Sequence, residues 1–292
     1  MKLGVQIVRF DWPGSPASIR ENLARIAHAA EDAGLDSLWV MDHFFQIRGI
    51  GRIDEPMLEA YTTLGYLAAI TRRIHLGVLV CGVVYRHPAV LIKIATTLDV
   101  LAGGRTYFGI GAAWNQQEAD GLGIPFPATR VRFELLEDTL QAAHHMWSGD
   151  RSPLEATRLR MARPLSVPAP LSKPHPKILV GGEGERKTLR LAARYADACN
   201  LFAGDVDRVR RKLDVLRRHC DDQGRDYNDI ERTSLDSIPD RSSGTSATDL
   251  IETCRRQAAA GIQHAIFSLP GGREIEAIET LGREVVPAVA GF

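Results

Sequence analysis

The amino-acid sequence predicts a (β/α)8 barrel, an α/β fold built on one closed parallel sheet. Three observations carry this. Short apolar segments alternate with longer amphipathic ones along the whole chain, the pattern of repeated βαβ units. Eight such pairs can be traced, and 292 residues is an ordinary length for a single barrel domain. The first strand-to-helix turn, Phe10-Asp-Trp-Pro-Gly14, lacks the G-x-G-x-x-G that an open doubly wound sheet usually carries there.

The elements follow in order. The first strand is expected near Leu3 to Val8. A helix from Ser18 to Ala33 follows, with Ser18 as N-cap, Glu21 completing a capping box and Gly34 as the stop. Asp36 to Met41 is the second strand, and Met57 to Thr71 the second helix. The third strand, His75 to Cys81, is apolar on both faces, as a strand covered on both sides must be. Pro88 opens the third helix, where its missing N–H has no cost, and Gly103-Gly104 closes it. Strand four spans Arg105 to Gly111, and helix four Val131 to Trp147. Six prolines between residues 148 and 176 break the pattern, so this stretch reads as an insertion or lid within one domain covering 1–292. Strands then fall at Lys177–Val180, Asp197–Phe202, Ile230–Ile238 and Gln263–Leu269. The intervening helices are Arg186–Tyr195, Val206–Asp221 and Ala247–Ala260, and an eighth helix closes the chain.

Lys plus Arg and Asp plus Glu both total 36, so the formal net charge is zero. Nucleic acids and anionic membranes select a basic excess, and neither is expected as the main partner. A small molecule is. The four cysteines, Cys81, Cys199, Cys220 and Cys254, form no C-x-x-C pair, which predicts reduced thiols, no metal site and a cytoplasmic protein. The N-terminus has no signal-peptide h-region, and Leu76 to Val84 is too short to span a bilayer.

A barrel of this kind places its site at the C-terminal ends of its strands. Those points hold Arg9, Asp11 and Trp12; Asp42 and His43; Cys81 and Gly82; Gly109 to Asn115; Gly181 to Gly184; and Asn200 with Phe202. Glycines allow close backbone approach and aromatics line the mouth, a combination suited to a flat ring with a polar tail. The turn Gly181-Gly182-Glu183-Gly184 precedes a helix and either presents N–H groups to a phosphate or only turns the chain. Histidine as a residue type titrates near neutrality, and His43 is either a proton-transfer residue or a barrel-mouth histidine bound to backbone. Trp12 and Trp114 either stack on a ring or pack, and Arg86-His87-Pro88 either meets an anionic tail or starts a helix in solvent. The arginine clusters around Arg208 and Arg217 read as a solvated helix face.

Four separated segments then resemble one family. They are DSLWVMDHF (Asp36–Phe44), LGVLVCGVVYRHPAVLIKIATTLDVLAGGRTYFGIGAAWN (Leu76–Asn115), VGGEGERKTLRLAARYADACN (Val180–Asn200) and GIQHAIFSLPGG (Gly261–Gly272). The likeness is to the luciferase-like monooxygenase superfamily, and within it to the branch of oxidoreductases that depend on coenzyme F420. The resemblance implies an F420 site across the strand ends, with FMN as the alternative cofactor, and a homodimer. It implies a bulge at Leu79, Val80, Cys81 and Gly82, often with a non-proline cis peptide, that supports the ring. It implies His43 near the reacting carbon and the tail phosphate at Gly181 and Gly182. Asp42, Gly111, Ala112, Trp114, Glu183 and Phe202 complete the expected cofactor contacts. One departure stands out: relatives that oxidise a sugar phosphate carry an acid where this chain has Trp114. Reduction of a C=C or C=N bond in an apolar small molecule is therefore the expected reaction. An FMN-dependent monooxygenase and a non-catalytic flavin-binding barrel are the alternatives.

Overall fold

The computed structural model describes residues 1–238 and 246–292. Eight parallel strands close into a barrel: β1 (Lys2–Ile7), β2 (Ser37–Val40), β3 (His75–Val78), β4 (Thr106–Gly111), β5 (Lys177–Gly181), β6 (Ala198–Phe202), β7 (Glu231–Ser237) and β8 (His264–Ser268). Neighbours pair in sequence order, with Gly4 opposite Ser37 and Leu38 opposite Leu76. β1 meets β8 at Lys2 opposite His264, and β3 meets β4 at Leu76 opposite Thr106, so no sheet edge is left. The strands are apolar because both faces are covered: every residue of β4 is buried, and all but the first of β1.

Helices cover the outside. In α1 (Ile19–Asp32) the buried Leu23, Ile26, Ala27 and Ala30 repeat at helical spacing, which turns one stripe to the sheet. The expected capping box at its start does not form. Ser18 is itself helical, makes no side-chain cap, and its N–H donates to Gly14 O, because a preceding turn already continues into the helix. The outer layer continues with α2 (Ala60–Ile70), α3 (Pro88–Leu101), α4 (Gln116–Gly121), α5 (Thr129–Trp147), α6 (Thr188–Tyr195), α7 (Val206–Asp222), α8 (Ala247–Ala259) and α9 (Glu274–Thr280), whose end widens into a π turn. The short helix α4 was not expected.

Two local features position the site. Strand three does not run unbroken to Cys81. It stops at Val78, the Leu79–Val80 peptide is cis, and pairing resumes at Cys81 and Gly82 opposite Ile110 and Gly111. The facing glycines make room for this bulge. A Cβ on Gly109 would lie 1.9 Å from Val78 O, and one on Gly181 2.7 Å from Val80 Cγ1. The segment 148–176 forms a small hairpin, Leu154–Glu155 against Arg160–Met161. Buried carboxylates tie it down. Asp138 accepts from the Thr157 and Arg158 N–H groups, and Asp99 from those of Leu171 and Ser172. All four cysteines are buried free thiols. Among the described residues no helix is long and apolar enough to cross a membrane.

Candidate active site

A cavity of about 320 Å³ opens at the C-terminal ends of the strands. Its floor is the bulge Leu79–Gly82. Gly111 and Ala112 of the β4 end lie on one side, and Gly181 and Gly182 of the β5 turn on the other. Phe133 and the exposed rings of Trp114 and Phe202 form an aromatic rim. Ala113 adopts a left-handed φ of 60°, rare for a residue with a side chain, at the turn that leads β4 into Trp114. Asp42 and His43 close the β2 side.

Twelve of the thirteen residues expected to react or to contact the cofactor therefore border one space: Asp42, His43, Leu79, Val80, Cys81, Gly82, Gly111, Ala112, Trp114, Gly181, Gly182 and Phe202. Glu183 does not. Its carboxylate turns away, accepts from the Phe202 N–H at 2.8 Å and pairs with Arg208. Trp12 packs instead of facing the cavity; its Nε1–H donates to buried Glu274 at 2.9 Å. The Gly182 N–H donates to Asn200 O, so this amide is already engaged within the turn.

Charged groups beneath the floor explain why Asp42 can be buried. The Arg86 guanidinium donates to both Asp42 oxygens, at 2.7 and 2.9 Å, and also pairs with Glu59. Arg86 is thus neither an anion receptor nor a solvated helix start. Burial pushes against its charge, but the Asp42 hydrogen bonds outweigh that and raise its pKa further. Glu59 does double duty, since its side chain also accepts from the Tyr61 and Thr62 N–H groups to cap α2. The same burial, with Asp42 nearby, pushes the Cys81 thiol up, so it stays protonated and unreactive at neutral pH.

The residue that sequence reasoning missed is Glu118, on α4. It is fully buried. One oxygen accepts from the Phe44 and Phe45 N–H groups at 2.6 and 2.9 Å. The other accepts from Tyr85 OH at 2.5 Å and lies 3.2 Å from His43 Nδ1. Burial pushes this carboxyl up, but the bonds from His43, Phe45 and Tyr85 win and hold it below the usual carboxylate range. The Tyr85 hydroxyl is correspondingly raised by its burial and by Glu118. His43 also makes an edge contact with Trp114, ring centres 5.4 Å apart. Its engaged Nδ1 leaves Nε2 as the nitrogen available to a molecule in the cavity. Among the described residues no cluster of three metal-ligating side chains occurs.

Comparison with known proteins agrees with this architecture. The F420-dependent glucose-6-phosphate dehydrogenase of Kineococcus radiotolerans is 32% identical over 214 residues, 72% of this chain. The match spans 61% of that relative's length. The coenzyme F420-dependent tetrahydromethanopterin reductase of Methanopyrus kandleri superposes with a TM-score of 0.81 at 16% identity, covering 98% of both chains. An F420-dependent secondary alcohol dehydrogenase, in complex with an F420-acetone adduct, does so with 0.81 at 18% identity over 99% of this chain and 98% of its own. At these identities the two structures speak for the fold. The model of the luciferase-like monooxygenase family matches residues 1–262, and the chain belongs to that family.

Proposed function

We propose that this protein is a coenzyme F420-dependent oxidoreductase that reduces a C=C or C=N bond in a small, uncharged, largely apolar molecule. One observation carries the reading: a glycine-seated apolar bed at the strand ends faces a single histidine with one ring nitrogen free. The relatives named for F420 support the cofactor.

The residues present fit a flat tricyclic ring with an anionic tail. Glycines at 111, 181 and 182 keep the bed open, since a Cβ on Gly111 or Gly181 would meet Val80 at 3.0 or 2.7 Å. The backbone of Leu79 to Gly82 would support the ring. The Thr188 hydroxyl at the start of α6, beside the Gly181–Gly182 turn, offers a polar donor for the tail phosphate. When bound, F420 supplies hydride chemistry in its ring. The chain's own residues do the rest. The aromatic rim of Trp114, Phe133 and Phe202 covers the bed and limits water. His43 holds or receives the proton that completes the reduction, at Nε2.

Substrate charge is restricted by what lines the space. Asp42 is neutralised by Arg86, and His43 is the other titratable group at the β2 wall. The family resemblance implies an acid in sugar-phosphate dehydrogenases where this chain carries the indole of Trp114, which argues against a sugar-phosphate role despite the named relative.

A titration of the apoprotein with F420 and, separately, FMN tests this reading. Trp114 is the tryptophan at the cavity rim, so its fluorescence reports binding. The expected result is quenching with tighter binding of F420 than FMN, and loss of most quenching in Trp114→Phe. Tighter FMN binding would move the protein to the monooxygenase reading, and binding of neither would remove the cofactor assignment.

A further inference from the structure

The Glu118 carboxylate is placed to do more than stitch loops. It gathers donors from two parts of the mouth: the His43 ring and two backbone N–H groups in the loop after β2, and Tyr85 ahead of α3. An ionised carboxylate only accepts hydrogen bonds. His43 can therefore bond to it only with the proton on Nδ1. Other charges near His43 do not compete. Asp42, its chain neighbour, is satisfied by Arg86, Cys81 below is a neutral thiol, and Tyr85 is a neutral phenol. Among the described residues, Glu118 is the carboxylate in direct contact with the His43 ring.

We infer that Glu118 is the positioning residue that fixes His43 in the Nδ1–H form, so that Nε2 alone exchanges a proton with a molecule in the cavity. The inference rests on the proposed role of His43, but the state of the ring is a property of the free protein. General practice at histidine sites is the same: the partner of one ring nitrogen decides what the other can do.

The donor set makes a sharp prediction for Glu118→Gln. A glutamine has one accepting oxygen and one donating NH2. The Phe44 and Phe45 N–H groups are backbone and cannot become acceptors, so the oxygen must stay on their side. The NH2 then faces Tyr85 OH and His43 Nδ1, both of which can reverse roles. The loop should stay anchored while the His43 proton moves to Nε2.

Long-range 1H–15N NMR of the cofactor-free protein reads both ring nitrogens directly, with His43→Asn used to assign the signal. The expected result is protonated Nδ1 in the neutral wild-type ring and protonated Nε2 in Glu118→Gln. An unchanged tautomer in a folded variant would overturn the inference. If Glu118→Gln does not fold, Tyr85→Phe serves instead. It removes the other donor from the shared oxygen and should leave the neutral His43 ring protonated at Nδ1, and a ring protonated at Nε2 would again overturn the inference. These readouts need no cofactor, so they stand apart from the F420 titration: a tautomer switch without F420 binding would sink the proposed function and leave the positioning role intact.

Discussion

Two histidine–carboxylate pairs lie at opposite ends of the barrel, and they are built for opposite purposes. At the mouth, His43 meets Glu118 and borders the cavity. At the N-terminal end, His264 of β8 lies fully buried beside Glu231 of β7, with Nδ1 3.5 Å from the carboxylate and Nε2 2.8 Å from Ser37 Oγ. There Glu231 also takes hydrogen bonds from Lys2, Lys177 and Tyr107, at 2.9, 3.1 and 2.8 Å. Its partners come from β1, β4, β5 and β8, so one carboxylate ties together strands that are distant in sequence. The rings of Trp39 and Tyr107, centres 4.9 Å apart, close the space beside His264. The difference is access. A ring nitrogen with an open side can exchange protons with a ligand, while one enclosed on both sides holds strands in register. Active sites of this fold occupy the C-terminal end, and polar networks at the other end serve stability.

Three substitutions sharpen this comparison. Arg86→Ala should have the largest effect on stability. It strands the buried Asp42 carboxylate without its partner, a change that costs about 3–5 kcal/mol when a buried ion pair is broken. Denaturant unfolding checks it, and a loss under about 1 kcal/mol would mean that solvent reaches Asp42 freely.

Glu231→Gln comes next, at about 2–3 kcal/mol for hydrogen bonds to charged groups lost in a mostly buried setting. It also has a pH signature. Burial raises the Glu231 carboxyl, but His264, Lys2 and Lys177 outweigh it and hold it far below the usual carboxylate range. A carboxyl depressed in the folded state contributes stability that is present above its unfolded pKa and is lost as pH falls toward the folded value. Wild-type stability should therefore drop from about pH 4.5 downward, and the drop should be shallower in Glu231→Gln. Parallel pH curves for the two proteins would show that the bottom pair carries no linkage.

His43→Asn should move stability least, by about 1–2 kcal/mol, because it removes one of four donors to the buried Glu118 carboxylate and leaves the other three in place. Under the proposed function it should instead lower the rate of reduction about 10²–10⁴-fold. Full activity in this variant would break the contrast between the two ends, since the mouth histidine would then be structural as well.

Much of the site was legible in the sequence. Asp42 and His43 follow an apolar strand directly, Gly111, Ala112, Gly181 and Gly182 sit at strand ends, and a barrel topology brings all strand ends to one face. What was not legible were the partners. His43 and Glu118 are 75 residues apart, and Asp42 and Arg86 are 44 apart. Glu118 lies in a six-residue helix whose Gln-Gln-Glu-Ala-Asp composition also suits a polar loop, so no periodicity marked it. Ser18 shows the reverse failure: a sequence with a good capping signature whose backbone entered the helix from a turn and left the side chain unused.

By itself the sequence determined the eight-fold alternation, the coverage of both sheet faces and the position of glycines where backbone must come close. These are local properties, set by side-chain size, polarity and backbone freedom within a few residues. Tertiary structure alone decided which buried charges meet. Closing the barrel sets the bulge at Leu79–Val80 against Gly109, Gly111 and Gly181, and the mouth loops set Arg86 against Asp42 and Glu118 under His43. The physical reason is that a buried charge is tolerated only with a partner in reach, and the partner is fixed by the path of the chain in space, not by its order along the sequence.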